Sequence, residues 1–468
     1  MGASASDRVP PRPLTTSRGT LVRVLGVGFG LAVTVGNTIA AGILRTPGDV
    51  AASFPDPVLF VGIWVVGALY ALLGANAIAE LGTMLPRSGA QYVFARHAFG
   101  DYAGFVVGWN DWISTSATAA AIAIVFGDAA VGLIAGDAAG AGTRLSVSVA
   151  AGAIVAFGLM LSRGTRQGAR IQALTSLLKA LVLLTLVVAC FVFAGRGAGA
   201  ARSPAVEAPA SFLLALVLAA QAVIYTYDGW TGPIYFSGEL QDPARQIPRA
   251  MFGGLLCVAT IYILINVAFM TAVHPTVIAG STLAAATVAR ELFGATGDAV
   301  VRTVVVVALP SAIIANLFMA SRVLYALGRD GLGPQPAAYV NAGGAPAIAL
   351  FLSSVLALGF LALGLLAARA FQFVIAVAAF FFVANYTLSF LAVFALRRRE
   401  PTAPRPYRAR GHPWTTGFVL VGSIAFLAGA VIQDTTNSLV ALAFLVVSYP
   451  VFRMVQRGRK EVVGVTGD

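Results

Sequence analysis

Charge is scarce in this chain. Asp, Glu, Lys and Arg make up 11% of its 468 residues, against about 25% in a soluble domain. That is too little to coat a water-soluble particle of this size. Apolar residues reach 58%, and they gather in uninterrupted runs of about twenty residues, the length that crosses a bilayer as a helix. A soluble enzyme, a secreted disulfide scaffold and a disordered chain are thereby excluded, and an all-α integral membrane protein embedded in lipid remains. Cysteine is nearly absent. The two present, Cys190 and Cys257, lie inside apolar runs, so no extracellular disulfide is expected. The three histidines, His97, His274 and His412, fall outside the runs and far apart, which leaves no metal or catalytic cluster and no cofactor to hold. No GxxxxGK[ST] loop occurs, so ATP does not drive the protein directly.

Basic residues outnumber acidic ones by 31 to 19, a net charge of +12, but their placement argues against a nucleic-acid partner. Arginines cluster in the short loops between apolar runs, where they orient a membrane protein. Twelve apolar segments can be marked, at 22–44, 58–84, 101–134, 145–162, 172–194, 211–236, 250–273, 300–327, 346–368, 371–396, 415–433 and 436–455. Residues 1–20 lack a short apolar region with a cleavage site and read as a cytosolic tail before an uncleaved first helix. On that basis 23 of the 31 Lys and Arg fall on the cytosolic side and seven outside, the bias that the positive-inside rule describes. Both termini are then cytosolic, with a membrane domain over 21–456 and a second tail at 457–468.

Two segments are poor helices. In the first, Gly36-Asn37-Thr38-Ile39-Ala40-Ala41-Gly42 is followed by Arg45, Pro47 and Gly48. In the sixth, Asp228-Gly229-Trp230-Thr231-Gly232-Pro233 interrupts a run that began near residue 211. Glycine and proline weaken a helix, and a carboxylate at membrane depth is costly. Interrupted segments at matching positions of two five-helix halves mark a midplane binding site. Taken alone, the same residues also suit close helix packing.

Five motifs, in order over residues 30–415, resemble those of the amino acid–polyamine–organocation transporters, in particular bacterial relatives of the L-type amino acid transporters. They are Val35-Gly-Asn-Thr-Ile-Ala-Ala-Gly-Ile-Leu with Pro47, and Glu80-Leu-Gly-Thr-Met-Leu-Pro-Arg-Ser-Gly-Ala-Gln-Tyr. Then come Tyr225-Thr-Tyr-Asp-Gly-Trp with Gly238-Glu-Leu-Gln-Asp-Pro and Ile247-Pro-Arg-Ala, and Ser321-Arg-Val-Leu-Tyr-Ala-Leu-Gly-Arg-Asp-Gly-Leu-Gly-Pro. The last is Arg405-Pro-Tyr-Arg with Gly411-His-Pro-Trp. The resemblance implies a leucine-transporter-type fold of twelve helices, a 5+5 inverted repeat (about 21–196 and 210–396) plus two C-terminal helices at about 415–456, with helices 1 and 6 broken. It implies a permease of the cell membrane that works by alternating access. The family's first-helix motif has glycine where Ala40 stands, so less backbone is open to close approach. Animal L-type carriers bind a heavy chain through an extracellular cysteine. Neither Cys190 nor Cys257 is placed for that, and no disulfide-linked heavy chain is expected.

A zwitterion held in a membrane needs both charges matched. With the first helix unwound after Ile39, the N–H groups of Ala40, Ala41 and Gly42 face the substrate carboxylate as a half-helix N-terminus. By resemblance, the ammonium goes to carbonyls of Thr38, Tyr225 and Asp228, the inverse site. Tyr225, Tyr227 and Trp230 lie within two turns of the second break, and Tyr225 holds the family's aromatic-gate position; aromatics on a helix face also serve plain packing. Lys179 is one of two lysines and lies inside the fifth segment. It either snorkels to the interface or, by resemblance, takes the place that sodium fills in sodium-coupled relatives and binds carbonyls near Gly36. The second reading implies sodium-independent transport, coupled to protons or by exchange.

Asp111, within Trp109-Asn110-Asp111-Trp112, suits either a proton path or structural hydrogen bonding. Asn316 faces substrate or bridges helices. Glu80, Arg87, Glu239, Arg249, Arg322 and Arg329 fall near the cytosolic ends, as a salt-bridge gate or as topology anchors. Small residues at Ala40 and Ala41 opposite aromatics favour a neutral amino acid. A polyamine or other organic cation is the alternative substrate, with Asp111 and Asp228 as the only deep carboxylates. An enzyme would need a paired acid and base or an activated nucleophile at one depth, and none occurs. A channel would need a filter loop or ring of charge.

Overall fold

The structure is a computed structural model and describes residues 21–135, 142–194, 211–281, 283–366, 368–433 and 435–465. The tail at 1–20, the expected join between repeats at 195–210 with Arg196 and Arg202, the side chain of Arg369 and residues 466–468 lie outside the described residues.

In hydrocarbon a backbone must satisfy its own N–H and C=O groups, so each apolar run folds as a helix. The helices are α1 (Val27–Thr38), α2 (Gly42–Ser53), α3 (Pro57–Met84), α4 (Gln91–Phe99), α5 (Asp101–Ala135), α6 (Gly142–Ser162) and α7 (Thr165–Val192). There follow α8 (Phe212–Thr226), α9 (Gly232–Tyr235), α10 (Pro243–Ala272), α11 (Pro275–Ile278), α12 (Ala284–Phe293) and α13 (Gly297–Ala308). The last five are α14 (Pro310–Arg329), α15 (Ala347–Leu366), α16 (Ala368–Arg399), α17 (Trp414–Gln433) and α18 (Thr435–Val465). Among the described residues nine helical spans are long and apolar enough to cross a bilayer, ten if the bent α1–α2 pair is one span. The chain is thus a multi-pass membrane protein. The only β pairing among the described residues is a parallel bridge between Leu25 and Leu240.

Several expected segments change their bounds, among them the seventh, which begins at Pro243 rather than 250, and the twelfth, which runs to Val465 rather than 455. The first, expected at 22–44, runs instead from Val27 to Ser53 in two pieces bent by 49°. The bend follows from Ile39, which leaves the helix in an extended conformation (φ −77°, ψ 95°) before Gly42 restarts it. The sixth, expected to reach 236, stops at Thr226, and only the single turn α9 follows. The eighth extends to both sides of 300–327 and is jointed at Pro310. Arg45 consequently sits inside α2, and Arg302 inside α13. The fifth begins at Thr165 rather than 172, so Lys179 lies 14 residues into α7, about 21 Å along its axis.

The interior gathers around α14, which packs against α5 and α15, and α10, which packs against α1, α3 and α7. Residues 311–328 of α14 are buried without interruption, as expected of a helix surrounded by others rather than by lipid. Apolar side chains such as Val58, Leu159, Phe351 and Phe418 point outward, where hydrocarbon takes the place of water.

Candidate substrate site

The two breaks lie against each other. After Thr226 the chain turns through Gly229, whose φ of +111° favours glycine. Its Cα also faces the end of α1: a Cβ there would stand 2.8 Å from the Thr38 nitrogen. Asn37 donates to the Gly229 carbonyl at 3.3 Å, and the Thr46 and Thr226 hydroxyls pair at 2.7 Å. Where each helix stops, its last carbonyls lose their intrahelical donors. Tyr262 of α10 supplies one: its hydroxyl lies 2.9 Å from the Thr38 oxygen and 3.1 Å from the Thr226 oxygen, sharing a single proton between the two breaks.

A cavity of about 100 Å³ opens beside this junction, room for several waters or a small ligand. Thr38, Ala40, Gly42, Tyr225 and Asp228 line it from the breaks, and Gln91, Thr115, Tyr235, Asn316 and Tyr386 from the surrounding elements. The leading N–H groups of α2 have no acceptor within that helix, so a partial positive charge borders the cavity at Gly42. A smaller cavity of about 40 Å³ shares Tyr225, Asp228 and Tyr386 with the first and adds Trp230.

The expected site residues divide. Thr38, Ala40, Gly42, Tyr225 and Asp228 line the main cavity. Trp230 lines only the smaller one, its ring stacked on Tyr386 with centroids 5.2 Å apart. Ile39, Ala41 and Tyr227 line neither. Tyr227 is wholly buried against Trp64 and Tyr262 and packs the break from behind. Two of the carbonyls expected to take an ammonium already have donors: Tyr262 holds the Thr38 oxygen and the Asp228 N–H holds the Tyr225 oxygen.

Lys179 does not snorkel. Its side chain has no exposure, and its ammonium donates to the carbonyls of Gly36, at 2.8 Å, and Ile39. No carboxylate pairs with it among the described residues. The two carbonyls are those that the bend of α1 sets free, and the close approach of α7 is what brings the lysine to them. Gly36 permits that approach, since a Cβ would stand 2.1 Å from the Gln172 amide and 2.5 Å from the Ser176 hydroxyl. Ser176 donates to the Ala32 carbonyl one turn earlier, at 2.7 Å.

Two carboxylates flank the cavity, each capped by a tyrosine. The Tyr386 hydroxyl donates to Asp228. Asp111 has no exposure and accepts through Oδ1 from Tyr235 at 2.9 Å and Thr115 at 3.1 Å. Asn316 both lines the cavity and bridges helices, donating to Asn37 at 3.1 Å and to the Ala312 carbonyl at 2.8 Å.

The charged residues expected at the helix ends form three separate groups. Arg322, expected near a cytosolic helix end, is fully buried and grips Glu239 through two bonds of 2.9 Å. Its guanidinium lies 4.1 Å from the Phe318 ring centroid, and Thr165 bonds both partners. The Glu239 carbonyl accepts from the N–H groups of Val24 and Leu25, tying the entry of α1 to the same point. Glu80 is held by Arg397, Arg405 and the Ala409 N–H. Arg87, Arg96 and Arg329 converge on Asp330. Burial alone would raise the Asp330 carboxyl, but the Arg329 hydrogen bond and the charges of Arg329, Arg87 and Arg96 hold it below the ordinary aspartate range. Arg249 is exposed and forms no ion pair among the described residues.

Sequence reasoning missed Tyr262 and Tyr386, single tyrosines inside apolar runs with no pattern around them. Gln172 and Ser176 did leave a signal: with Lys179 they recur at spacings of four and three, one polar stripe along an apolar helix.

The profile of the amino acid permease family matches residues 21–452. The serine/threonine exchanger SteT of Bacillus subtilis is 27% identical over 92% of this chain and 96% of its own length. The b(0,+)-type amino acid transporter 1 of Mus musculus is 28% identical over 67% of this chain, which spans 64% of that relative. The large neutral amino acids transporter small subunit 2 of Oryctolagus cuniculus is 26% identical over 87% of this chain and 76% of its own length. With two broken helices meeting at a small internal cavity and a family match over most of its length, the chain belongs to the amino acid permease family, as a transporter of amino acids and not an enzyme.

Proposed function

We propose that the protein is a secondary carrier of a neutral amino acid in the cell membrane, working by alternating access without sodium, with protons as co-substrate or a second amino acid in exchange. The observation that carries this reading is the Lys179 ammonium seated on the carbonyls of Gly36 and Ile39 at the bend beside the cavity. A cation fixed there by the chain itself leaves no vacancy for sodium. The substrate carboxylate meets the N–H groups of Ala40, Ala41 and Gly42 at the start of α2. The ammonium meets the Asp228 carbonyl and the second lone pairs of the Thr38 and Tyr225 oxygens, since a carbonyl accepts twice. Tyr225 closes over the substrate. In this reading the helices form twelve spans in a 5+5 inverted repeat followed by two more, with both termini cytosolic.

The names of the relatives, a serine/threonine exchanger and a large neutral amino acids transporter, support a neutral substrate and exchange. A second reading, transport of an organic cation such as a polyamine, is favoured by one observation: Asp228 and Asp111 stand beside the cavity with hydroxyl donors and, among the described residues, no basic partner. Uptake of a labelled panel of amino acids and polyamines into proteoliposomes decides between them, run with and without sodium and with and without trans substrate. The expected result is uptake of a neutral amino acid that ignores sodium. A sodium requirement overturns the role given to Lys179, and uptake confined to polyamines overturns the substrate class.

A further inference from the structure

The Asp111 carboxylate is satisfied on one side only. Oδ1 accepts from Tyr235 and Thr115, while Oδ2 is buried with no hydrogen-bond partner. An ionised oxygen left without a donor in a membrane interior is expensive, and no described protein group donates to this one. A proton is small enough to sit there, and both hydroxyls bonded to Oδ1 line the cavity. We infer that Asp111 is the proton-binding group of the transport cycle, loaded from the cavity through the Tyr235 hydroxyl. The inference rests on the carrier reading above and selects its proton-coupled form.

The transfer balances simply. A hydronium ion in the cavity passes a proton to the Tyr235 oxygen as the tyrosine's own proton moves to Asp111 Oδ1. Water and a neutral carboxyl group remain, and rotation of that group carries the proton to either oxygen. Release reverses the path once the cavity opens to the other side.

Few titratable groups can compete. Tyr235, Tyr386 and Asp228 are the ones around the carboxylate. Among the cations on neighbouring elements, Arg96 of α4 bonds Asp101 and Asp330, His97 bonds Glu400 and Arg302 of α13 bonds Asp298, while Arg398 of α16 and Arg453 of α18 are exposed. On α14, Arg322 is held by Glu239 and Arg329 by Asp330. On α16, Arg397 is held by Glu80, and Arg399 donates to the Ala98 carbonyl. Arg144 of α6 is exposed at that helix's start, and the described residues of α15 carry no titratable group. None of these cations bonds to Asp111.

The test uses the full chain in proteoliposomes containing a pH-sensitive dye, loaded with one neutral substrate found by the panel, and reads protons and labelled amino acid taken up together. The wild type is expected to move protons with substrate, and Asp111→Asn to lower the ratio of protons to amino acid at least tenfold, whatever rate remains. Tyr235→Phe, which keeps the ring and removes the relay hydroxyl, is expected to slow the proton signal at least tenfold relative to label. It provides a reading if Asp111→Asn fails to fold. A wild type that exchanges substrate without moving protons overturns the proposal while leaving the carrier reading intact, as does an unchanged ratio in both variants. Loss of cationic substrates in Asp111→Asn with an undiminished proton ratio also overturns it, and makes Asp111 a specificity residue. A wild type that moves no amino acid at all defeats the carrier reading instead.

Discussion

Lys179 and Arg322 are both wholly buried cations inside helices, yet they are held in opposite ways. Arg322 faces a full countercharge, two parallel bonds to Glu239, with an aromatic ring beneath its guanidinium. That planar fork matches a carboxylate and leaves little freedom. Lys179 faces only partial charges, the carbonyls of Gly36 and Ile39. Those carbonyls exist as free acceptors only while α1 is bent. One cation therefore fastens elements that are already built, and the other reports the conformation of the break. A change at the first is expected to register in stability, and a change at the second in transport.

The largest expected effect is from Arg322→Ala, which leaves Glu239 buried and unpaired at a cost of about 3–5 kcal/mol. Thermal unfolding in detergent should fall sharply, and the double variant Arg322→Met with Glu239→Leu should recover much of it, because an apolar pair of similar volume often replaces a buried ion pair without loss. Next comes Lys179→Met. It removes the buried charge together with its two bonds, so the desolvation cost of that charge disappears as well and no unpaired ion is left behind; uptake per folded molecule is expected to drop by about a hundredfold while the melting temperature moves less than for Arg322→Ala. If Lys179→Met destabilises as strongly and the surviving protein transports normally, the comparison fails.

Tyr262→Phe sharpens it. The variant keeps the ring packed against Trp64 and Tyr227 but deprives the Thr38 and Thr226 carbonyls of their shared donor, a loss of about 1 kcal/mol. Uptake is expected to change several-fold through the relative placement of the breaks, with a smaller fall in melting temperature than Arg322→Ala gives. The smallest effect belongs to the Asp330 cluster. Its carboxyl is held below the ordinary range, so its stabilising contribution is present above the unfolded-state pKa of about 3.9 and is lost as pH falls through the depressed folded value. Arg87 is 54% exposed, and solvent screening limits that partner to under about 1 kcal/mol. Melting curves of wild type and Asp330→Asn should converge as the medium is acidified.

Much of this architecture was legible in the chain. Run lengths located the crossing helices to within a few residues at α3, α5 and α17, since an apolar run of this length can satisfy its backbone only as a helix. The positions of both breaks followed from Gly, Pro and Asp228 in otherwise apolar stretches. The polar stripe of Gln172, Ser176 and Lys179 marked the face of α7 that meets α1. Reading Tyr225, Tyr227 and Trp230 as one aromatic group went too far. Tyr225 and Trp230 share the smaller cavity, but Tyr227 turns away to pack against Trp64 and Tyr262.

The sequence by itself determined that this is a helical membrane protein with two interrupted spans, because length, hydropathy and helix propensity are local properties. Only the tertiary structure decided which groups meet. Lys179 reaches a carbonyl 143 residues away and Arg322 a carboxylate 83 residues away. Asp111 is joined to Tyr235 across 124 residues. Such pairings depend on how remote helices cross and on small residues that let them approach, as Gly36 does for α7. A buried charge carries no label naming its partner, so the fixed ion pair and the carbonyl-bound lysine look alike until the helices are packed.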